Sequence, residues 1–401
     1  MNDLKLQSED LCWRCDPNQF EFETTADLPP LEGTIGQARA LTAIDFGLGI
    51  KDSGFNLFIL GQPGSGRSST IKKILKAHAS DKPVPDDWCY VNDFENGTGP
   101  NYIRLQAGMG STFKQDVAYL VERLAEEVPK VFESKEYEKQ KTNLTSEFQE
   151  KKKALFQNLE QEAKQNGFDL QQSASGLVLV PLRGSKPMSQ EAYEALTDQE
   201  KADLEKKGEA LQEQVNQVLG AARQLEEELR DKVHEMEKEL LHYAMDHLFE
   251  GLKKKYEQYE RVLDYFKSCK LDILNQIEEF RPSKEPQVSI VGIGGKQEEP
   301  SFDRYQVNLF IDNSALEGAP VVYEANPTYL NVFGRIEHII QMGGAVTNFQ
   351  MIKPGALHRA NGGYLILDCR EVLFNLFTYE ALKRCIRNRE VKIEDMAEQF
   401  R

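Results

Sequence analysis

The chain has 401 residues, 40% of them hydrophobic and 28% charged, a globular composition with enough length for more than one core. Its formal net charge of −16 opposes a general attraction to nucleic-acid phosphates, so we expect no nucleic-acid partner. Six scattered cysteines do not form a disulfide framework, and no apolar run reaches the roughly 18 residues of a membrane span, so we expect a cytoplasmic protein without a membrane partner.

Residues 1–112 form the first predicted region, and its signals are those of a strand, a loop and a helix. Apolar residues recur at helical spacing over residues 38–50 and again over residues 68–79. The short apolar run at residues 55–60 predicts a strand that ends in a glycine-rich loop. Because a phosphate site requires strand, loop and helix in this order, the region predicts nucleotide binding.

The glycine-rich loop after residue 60 is the strongest chemical signal in the sequence. Its glycines allow backbone N–H groups to curl around phosphate oxygens, and the following helix presents further N–H groups to the same anion. Ser68 stands where a hydroxyl binds Mg²⁺, and Arg67 replaces the lysine that normally reaches the outer phosphates. A tight turn without a ligand is the alternative interpretation. The predicted nucleotide-binding residues are Gly61, Gly64, Ser65, Gly66, Arg67, Ser68 and Ser69.

Residues 113–280 differ in composition, with few prolines and glycines and many charged side chains. Apolar residues alternate in steps of four and three, the a/d seam of a coiled coil, at Leu211, Val215, Val218, Ala222, Leu225 and Leu229. A similar, less regular stripe comes earlier, at Leu144, Phe148, Leu155 and Leu159. Two such helices predict a long antiparallel coiled-coil insertion, with an ordinary helical bundle as the alternative.

A small β head is predicted at the far end of this insertion, over residues 167–185. Asn166 precedes a glycine, which is typical of a helix end. The apolar run at residues 177–182 follows a turn, which predicts a β-hairpin. Thr197 is followed three residues later by Glu200, which predicts the N-cap of the returning helix.

Residues 281–401 return to short alternating and apolar segments, so a mixed α/β region is predicted there. Strands are expected near residues 288–291 and residues 307–311. A helix is expected over residues 373–389.

Asp368 supplies the second half of the predicted nucleotide site. It ends an apolar run, residues 363–367, and an acid at the end of a buried strand is where P-loop ATPases hold Mg²⁺ through water. In many such ATPases the next residue is a glutamate that orients the attacking water, but this chain has Cys369 there. Glu371 is the nearest acid and the candidate for that water-positioning role. The predicted cofactors are therefore ATP and Mg²⁺.

Four stretches of the sequence resemble one known family. They are residues 13–17, residues 31–40, the glycine-rich loop and residues 353–363. In this order, and over nearly the whole chain, they are similar to the Lon-related ATP-dependent proteases of bacteria.

The resemblance implies an α/β P-loop NTPase core of the AAA+ class, interrupted by the helical insertion. Such a protein forms a homo-oligomeric ring and delivers protein substrates to a serine protease with a Ser-Lys dyad. We expect that protease domain downstream, so no residue of this chain is expected to catalyse proteolysis. We also expect an AAA+ core that is incomplete at its C-terminus, without sensor residues or an arginine finger. Arg67 and Cys369 leave open whether such a fragment hydrolyses ATP.

Two other functions compete with this interpretation. An SMC-like ATPase acting on DNA also has a P-loop, an antiparallel coiled coil and a distal acidic strand in that order. Such proteins carry a Ser-Gly-Gly-Gln-like signature that this sequence lacks. The other alternative is a nonenzymatic scaffold in which Arg67 and Cys369 mark a decayed site.

Several single residues have less specific signals. We expect Arg335 and Arg359 in surface ion pairs rather than at a neighbouring subunit's nucleotide. Tyr329 and Phe333 are expected in the core, with a pore loop that pulls on substrate as the alternative. His358 is expected to be structural.

Overall fold

The computed structural model divides by its internal contacts into two compact units, Met1–His78 with Leu382–Glu390 and Ala79–Ala381 with Val391–Arg401. The predicted strand at residues 288–291 lies outside the residues that the structure describes. The described residues are 6–9, 11–29, 36–52, 54–62, 64–95, 97, 99–173, 176–184, 186–189, 193, 196–280, 302–341 and 344–394.

The first unit contains helix α1 (Ala38–Gly49) and nearly all of helix α2 (Arg67–Ser80), so both predicted helices are confirmed. The strand predicted at residues 55–60 is wrong. That segment has no ladder hydrogen bonds, and five of its six side chains are exposed, with Phe58 71% and Leu60 85% exposed. A strand requires a neighbour that satisfies its backbone groups, and none of the described strands pairs with this segment.

The remaining elements follow in chain order: β1 (Asp87–Val91), β2 (Asn101–Leu105), α3 (Met109–Glu133), α4 (Lys135–Gln165), β3 (Phe168–Ser173), β4 (Gly176–Arg183), β5 (Lys186–Pro187), α5 (Asp198–Lys255), α6 (Glu260–Asn275), β6 (Asn308–Ile311), β7 (Val321–Glu324), α7 (Tyr329–Phe333), β8 (Arg335–Ile336), β9 (Ile339–Gln341), β10 (Gly344–Val346), β11 (Ile352–Lys353), α8 (Ala356–Arg359), β12 (Tyr364–Leu367), α9 (Cys369–Phe374) and α10 (Thr378–Asn388). No helix within the described ranges is both long enough and apolar enough to cross a membrane.

The largest core of the second unit joins an antiparallel sheet to three helices. Strands β2, β1 and β6 form the sheet in that order, and apolar residues from α3, the end of α5 and α6 pack with it. On α3 the buried residues recur every three or four positions, which places them on one face of the helix. Burial of each large apolar side chain contributes about 1.5–3 kcal/mol. Fully buried members are Ile103, Leu105, Phe113, Leu124, Leu241, Met245, Phe249, Phe266 and Phe280.

A buried carboxylate ties this sheet to α3. Asp87 on β1 is fully buried, and its side chain accepts hydrogen bonds from the backbone N–H groups of Gly110 (2.9 Å) and Asn313 (2.7 Å). An acid near a helix N-terminus is also favoured by the helix dipole. The contact therefore fixes the start of α3 and the turn after β6 against β1.

Helices α4 and α5 pack against each other in opposite directions. Along their contact, residue numbers rise on α4 as they fall on α5. Of the predicted seam residues on α5, Leu211, Val215 and Ala222 are buried. The hydrogen-bonded side-chain pairs that define the direction are Tyr137 with Glu237, Lys152 with Glu226, and Glu162 with Gln214.

A three-stranded antiparallel sheet, β3-β4-β5, connects the two helices. The predicted hairpin is confirmed in β3 and β4, and Phe168 packs in a small core with Ala163 and Leu211. The predicted helix end is also confirmed, because α4 ends before Asn166. At the return, Thr197 and the side chain of Glu200 form the predicted capping box of α5.

The described part of residues 302–394 holds six short strands after β6, of which β7 and β12 form a parallel pair. The strand predicted at residues 363–368 is confirmed as β12, and the strand at residues 307–311 is confirmed as β6. The single helix predicted at residues 373–389 is wrong, because the chain forms α9 and α10 with a break between them. Asn375 caps α9 through two hydrogen bonds to the carbonyl of Glu371, and Phe377 then has a left-handed backbone with φ of 67°.

Candidate nucleotide site

The glycine-rich loop has a backbone that requires glycine at two positions. Gly64 has φ of 82° and Gly66 has φ of 75°, a left-handed conformation that side chains with a Cβ disfavour. The N–H group of Ser65 donates to the carbonyl of Gln62 (3.2 Å), which closes a turn. These conformations bend the chain sharply just before α2.

The start of α2 can receive an anion. The first N–H groups of a helix have no acceptor within the helix, and the helix dipole adds positive potential there. No acidic residue lies in the first turn of α2, and the described loop residues 61, 62 and 64–66 are exposed. The loop and helix start can therefore offer N–H groups to an anion, and the nucleotide-binding role of Gly61, Gly64, Ser65, Gly66, Ser68 and Ser69 stays a prediction.

Arg67 has a contact that the sequence did not predict. Its Nη1 donates to the carbonyl of Gly61 at 2.9 Å, so the guanidinium is bound to its own loop. The hydroxyl of Ser69 donates to the carbonyl of Gly66 (2.8 Å), whereas Ser68 is exposed at the helix start. A phosphate contact by Arg67 requires the exchange of its bond to Gly61.

Asp368 lies at the carboxyl end of β12, where ligands commonly bind to parallel sheets. Its side chain caps α9 by accepting a hydrogen bond from the N–H group of Arg370 (2.9 Å). Asp368, Cys369 and Glu371 are all exposed, and β12 is only partly buried, whereas a fully buried strand was expected. The glycine-rich loop belongs to the first unit of the chain, and Asp368 and Glu371 belong to the second.

The structure adds one acidic residue that the sequence pattern did not single out. Glu324 ends β7, and its register partner on β12 is Leu367, so it lies at the same strand edge as Asp368. Its carboxylate accepts hydrogen bonds from Arg359 (3.3 Å) and from the N–H group of Asn326 (3.1 Å). The signal was present in the sequence, because β7 is an apolar run that ends in an acid, as β12 is.

The stretch at residues 353–363 has a structural explanation. A Cβ on Gly355 would lie 2.3 Å from the carbonyl oxygen of Val332, so only glycine fits this close backbone approach. The N–H group of Gly355 donates to Nδ1 of His358 (3.2 Å), whose ring also contacts Phe310 edge-on. Part of the family-like pattern therefore packs against the end of α7 and against β6, and His358 is structural as predicted.

Burial of His358 makes a pH dependence testable. Burial lowers the pKa of His358 from 6.5 to about 4, so the folded chain holds the neutral ring. This contribution to stability is complete above pH 6.5 and is lost as the pH falls from 6.5 toward 4, because the unfolded chain then binds the proton first. Between pH 7 and pH 4.5 we expect the free energy of unfolding to fall about 2 kcal/mol more in the wild type than in His358→Gln. Urea unfolding at both pH values measures the difference, and equal losses would contradict the assignment.

Four other residues behave as the sequence predicted. Arg359 pairs with Glu324, and Arg335 forms two hydrogen bonds to Glu337. Tyr329 and Phe333 are buried, with ring centroids 4.9 Å apart, so the core assignment is confirmed.

Two family models match parts of the chain. Residues 317–401 match a LonB-like AAA domain, and residues 87–120 match a Lon-like LonC helical domain. The first range contains the strand pair with Glu324 and Asp368, whereas the glycine-rich loop lies outside both ranges. No curated protein matches the chain. The two matches confirm the predicted resemblance to Lon-related proteins.

Proposed function

We propose that this Lon-related chain is the ATP-binding and substrate-engaging portion of an ATP-dependent Lon-type serine protease. The observation that carries the proposal is the match to a LonB-like AAA domain over the strand pair that ends in Glu324 and Asp368. AAA domains bind nucleotides. Besides the strand pair inside the matched domain, this chain has a glycine-rich loop that suits phosphate binding. Protein substrates, a homo-oligomeric ring and a cytoplasmic location are part of the same proposal.

Each half of the site has a role in holding ATP with Mg²⁺. The loop from Gly61 to Gly66 and the first N–H groups of α2 bind phosphate oxygens, and Arg67 adds a positive charge. The Ser68 hydroxyl and the Asp368 carboxylate are the groups that would hold the ion, which would neutralise charge on the phosphates. Oxygen ligands of this kind suit Mg²⁺.

The proposed organisation has three parts: residues 1–112 and 281–401 in the ATPase core, and residues 113–280 as an arm with its head at residues 167–185. The antiparallel packing of α4 and α5, with a small sheet between them, supports an arm that engages substrates. The shared core of β1, β2, α3 and α6 favours an earlier start of the helical part, near residue 87.

A binding titration with matched glycine variants tests the nucleotide site. We expect a fluorescent ATP analogue with Mg²⁺ to bind this chain saturably, and Gly64→Ala to weaken binding at least about tenfold, because alanine disfavours the left-handed backbone that shapes the loop. Gly54→Ala is the control. Gly54 has φ of 94° and open space around its Cβ, as Gly64 has, but it lies outside the loop.

The control separates loop shape from general strain. Gly54→Ala should bind as the wild type does, with a similar loss of thermal stability in both variants. Absence of saturable binding by the wild type would refute the proposed function. Equal weakening by both variants would refute the assignment of the loop.

A further inference from the structure

Residues 373–379 present a dense run of large apolar side chains to solvent. We call this run the 373–379 patch, and all of it belongs to the second unit. Its five large side chains are 44–75% exposed, whereas Thr378, Val372 and Ala381 in and beside the run are buried. The segment therefore turns small residues inward and large apolar residues outward, the reverse of the usual preference. The exposed members are Leu373, Phe374, Leu376, Phe377 and Tyr379.

Hydrogen bonds hold the backbone of the patch in place. The N–H group and the side-chain amide of Asn375 both donate to the carbonyl of Glu371, at 3.1 and 2.8 Å. The carbonyl of Phe377 accepts from the N–H group of Ala381 (3.0 Å) at the start of α10. Phe377 also has φ of 67°, a conformation that persists only where the surroundings hold it. The outward side chains are therefore presented by a fixed segment.

The size of the patch suits a contact between two copies of the chain. If each of the five side chains offers roughly 150–200 Å² when fully exposed, their exposed surface is on the order of 500 Å². One side of a stable interface buries about 800 Å², and about 65% of that area is apolar in homodimers, which is about 500 Å². The exposed apolar area is therefore close to what one side of a homodimeric interface needs.

The chemistry of the patch also favours a copy of the chain over other partners. Residues 373–379 include no charged side chain, so contact through them places no like charges of two copies against each other. The net charge of −16 opposes attraction to nucleic acid or to an anionic membrane. Surfaces that accept many unfolded sequences are flexible and rich in methionine, whereas this patch is fixed and contains no methionine. The guanidinium of Arg370, 5.5 Å from the centre of the Phe374 ring, provides a polar border.

We propose that the 373–379 patch binds a second copy of this chain. The inference rests on the homo-oligomer that the proposed function includes, and it names a surface of contact for it. Phe374 and Leu376 are the two most exposed members of the patch, so their burial contributes most to the affinity.

A variant that combines Phe374→Ser with Leu376→Ser tests the surface. Sedimentation velocity of the full chain, with and without ATP and Mg²⁺, measures self-association at about 1–100 µM. We expect the wild type to associate in this range and the variant to associate at least about 100-fold more weakly, because each side chain contributes about tenfold or more. Tyr119→Ser with Leu271→Ser is the matched control. It removes one aromatic residue and one leucine that are 65% and 59% exposed elsewhere in the same unit.

The control should associate as the wild type does, and urea unfolding should show that both variants are folded. Hydrogen exchange of the wild type gives a measurement that needs no variant, because residues 372–381 should gain protection as the concentration rises. A wild type that stays monomeric at about 100 µM would overturn the inference, as would equal weakening in both variants or unchanged exchange over residues 372–381.

Two probes test the other occupants of the patch. They are a reduced, carboxymethylated protein as an unfolded polypeptide and vesicles of phosphatidylglycerol as an anionic membrane. If the patch variant lost binding to either probe and kept its self-association, the patch would belong to that partner and the inference would be overturned.

The ATP titration separates this inference from the proposed function. ATP binding by a chain that stays monomeric would overturn the contact surface and leave the nucleotide site standing. Self-association through the patch without ATP binding would support the contact surface and overturn the nucleotide site.

Discussion

Gly363→Ala is expected to destabilise the second unit by about 3 kcal/mol or more, because the added methyl group has no space. A Cβ at this position would lie 2.0 Å from the carbonyl oxygen of Pro320. That carbonyl accepts a hydrogen bond from the N–H group of Tyr364 (2.8 Å) at the start of β12. Relief of the clash must therefore separate β12 from β7 and shift the strand edge that carries Asp368.

Urea unfolding and hydrogen exchange over residues 317–394 measure this effect. Exchange should accelerate in β7 and β12 more than in the helical core. Gly251→Ala is the control, because no atom lies within 4 Å of its Cβ near the end of α5, where alanine is favoured by up to about 1 kcal/mol. Equal stability of Gly363→Ala and Gly251→Ala would contradict the prediction, because it would mean that β7 and β12 separate without a loss of stability.

Local signals in the sequence predicted much of the secondary structure. The spacing of apolar residues located α1 and α2, and the Thr197 and Glu200 pattern located the start of α5. These predictions were correct because a helix is specified mainly by residues three or four positions apart. The apolar run that ends in an acid located β12, because this signal also lies within one short segment.

Failures arose where distant residues decide the outcome. The run at residues 55–60 is apolar, but a strand also depends on a partner that the sequence pattern does not reveal. The helix predicted at residues 373–389 failed for a local reason instead, because the cap at Asn375 and the left-handed backbone at Phe377 interrupt it. The hydrogen bonds of Asp87 to residues 23 and 226 positions away were equally beyond local patterns.

Some features of the candidate site also follow from the local sequence, whereas others depend on distant residues. The left-handed glycines of the loop and the position of Asp368 could be inferred from spacing, because both depend on short segments. The position of Glu324 at the same strand edge as Asp368 could not, because it depends on the register between β7 and β12. The close approach of Gly355 to residue 332 likewise explains why part of the family-like stretch is structural.

Removal of the proposed Mg²⁺ ligands is expected to weaken ATP binding strongly. We expect Ser68→Ala and Asp368→Asn each to weaken Mg²⁺-dependent ATP binding about tenfold to 100-fold, because each would remove a proposed oxygen ligand of the ion. Binding of ATP without Mg²⁺ should change little. Glu371→Gln is the control, because it removes one acidic side chain near Asp368. The Mg²⁺ dependence of ATP binding should be unchanged in this variant.

In the proposed function the glycine-rich loop and Asp368 contribute to one metal-bound nucleotide site, and a double-mutant cycle tests this proposal most directly. The measurement is the Mg²⁺-dependent part of ATP affinity in the wild type, Ser68→Ala, Asp368→Asn and the double variant. Because the proposal has both side chains act through one ion, it predicts that the double variant loses no more affinity than the weaker-binding single variant. Losses that multiply in the double variant, or a single variant that binds as the wild type does, would contradict the claim.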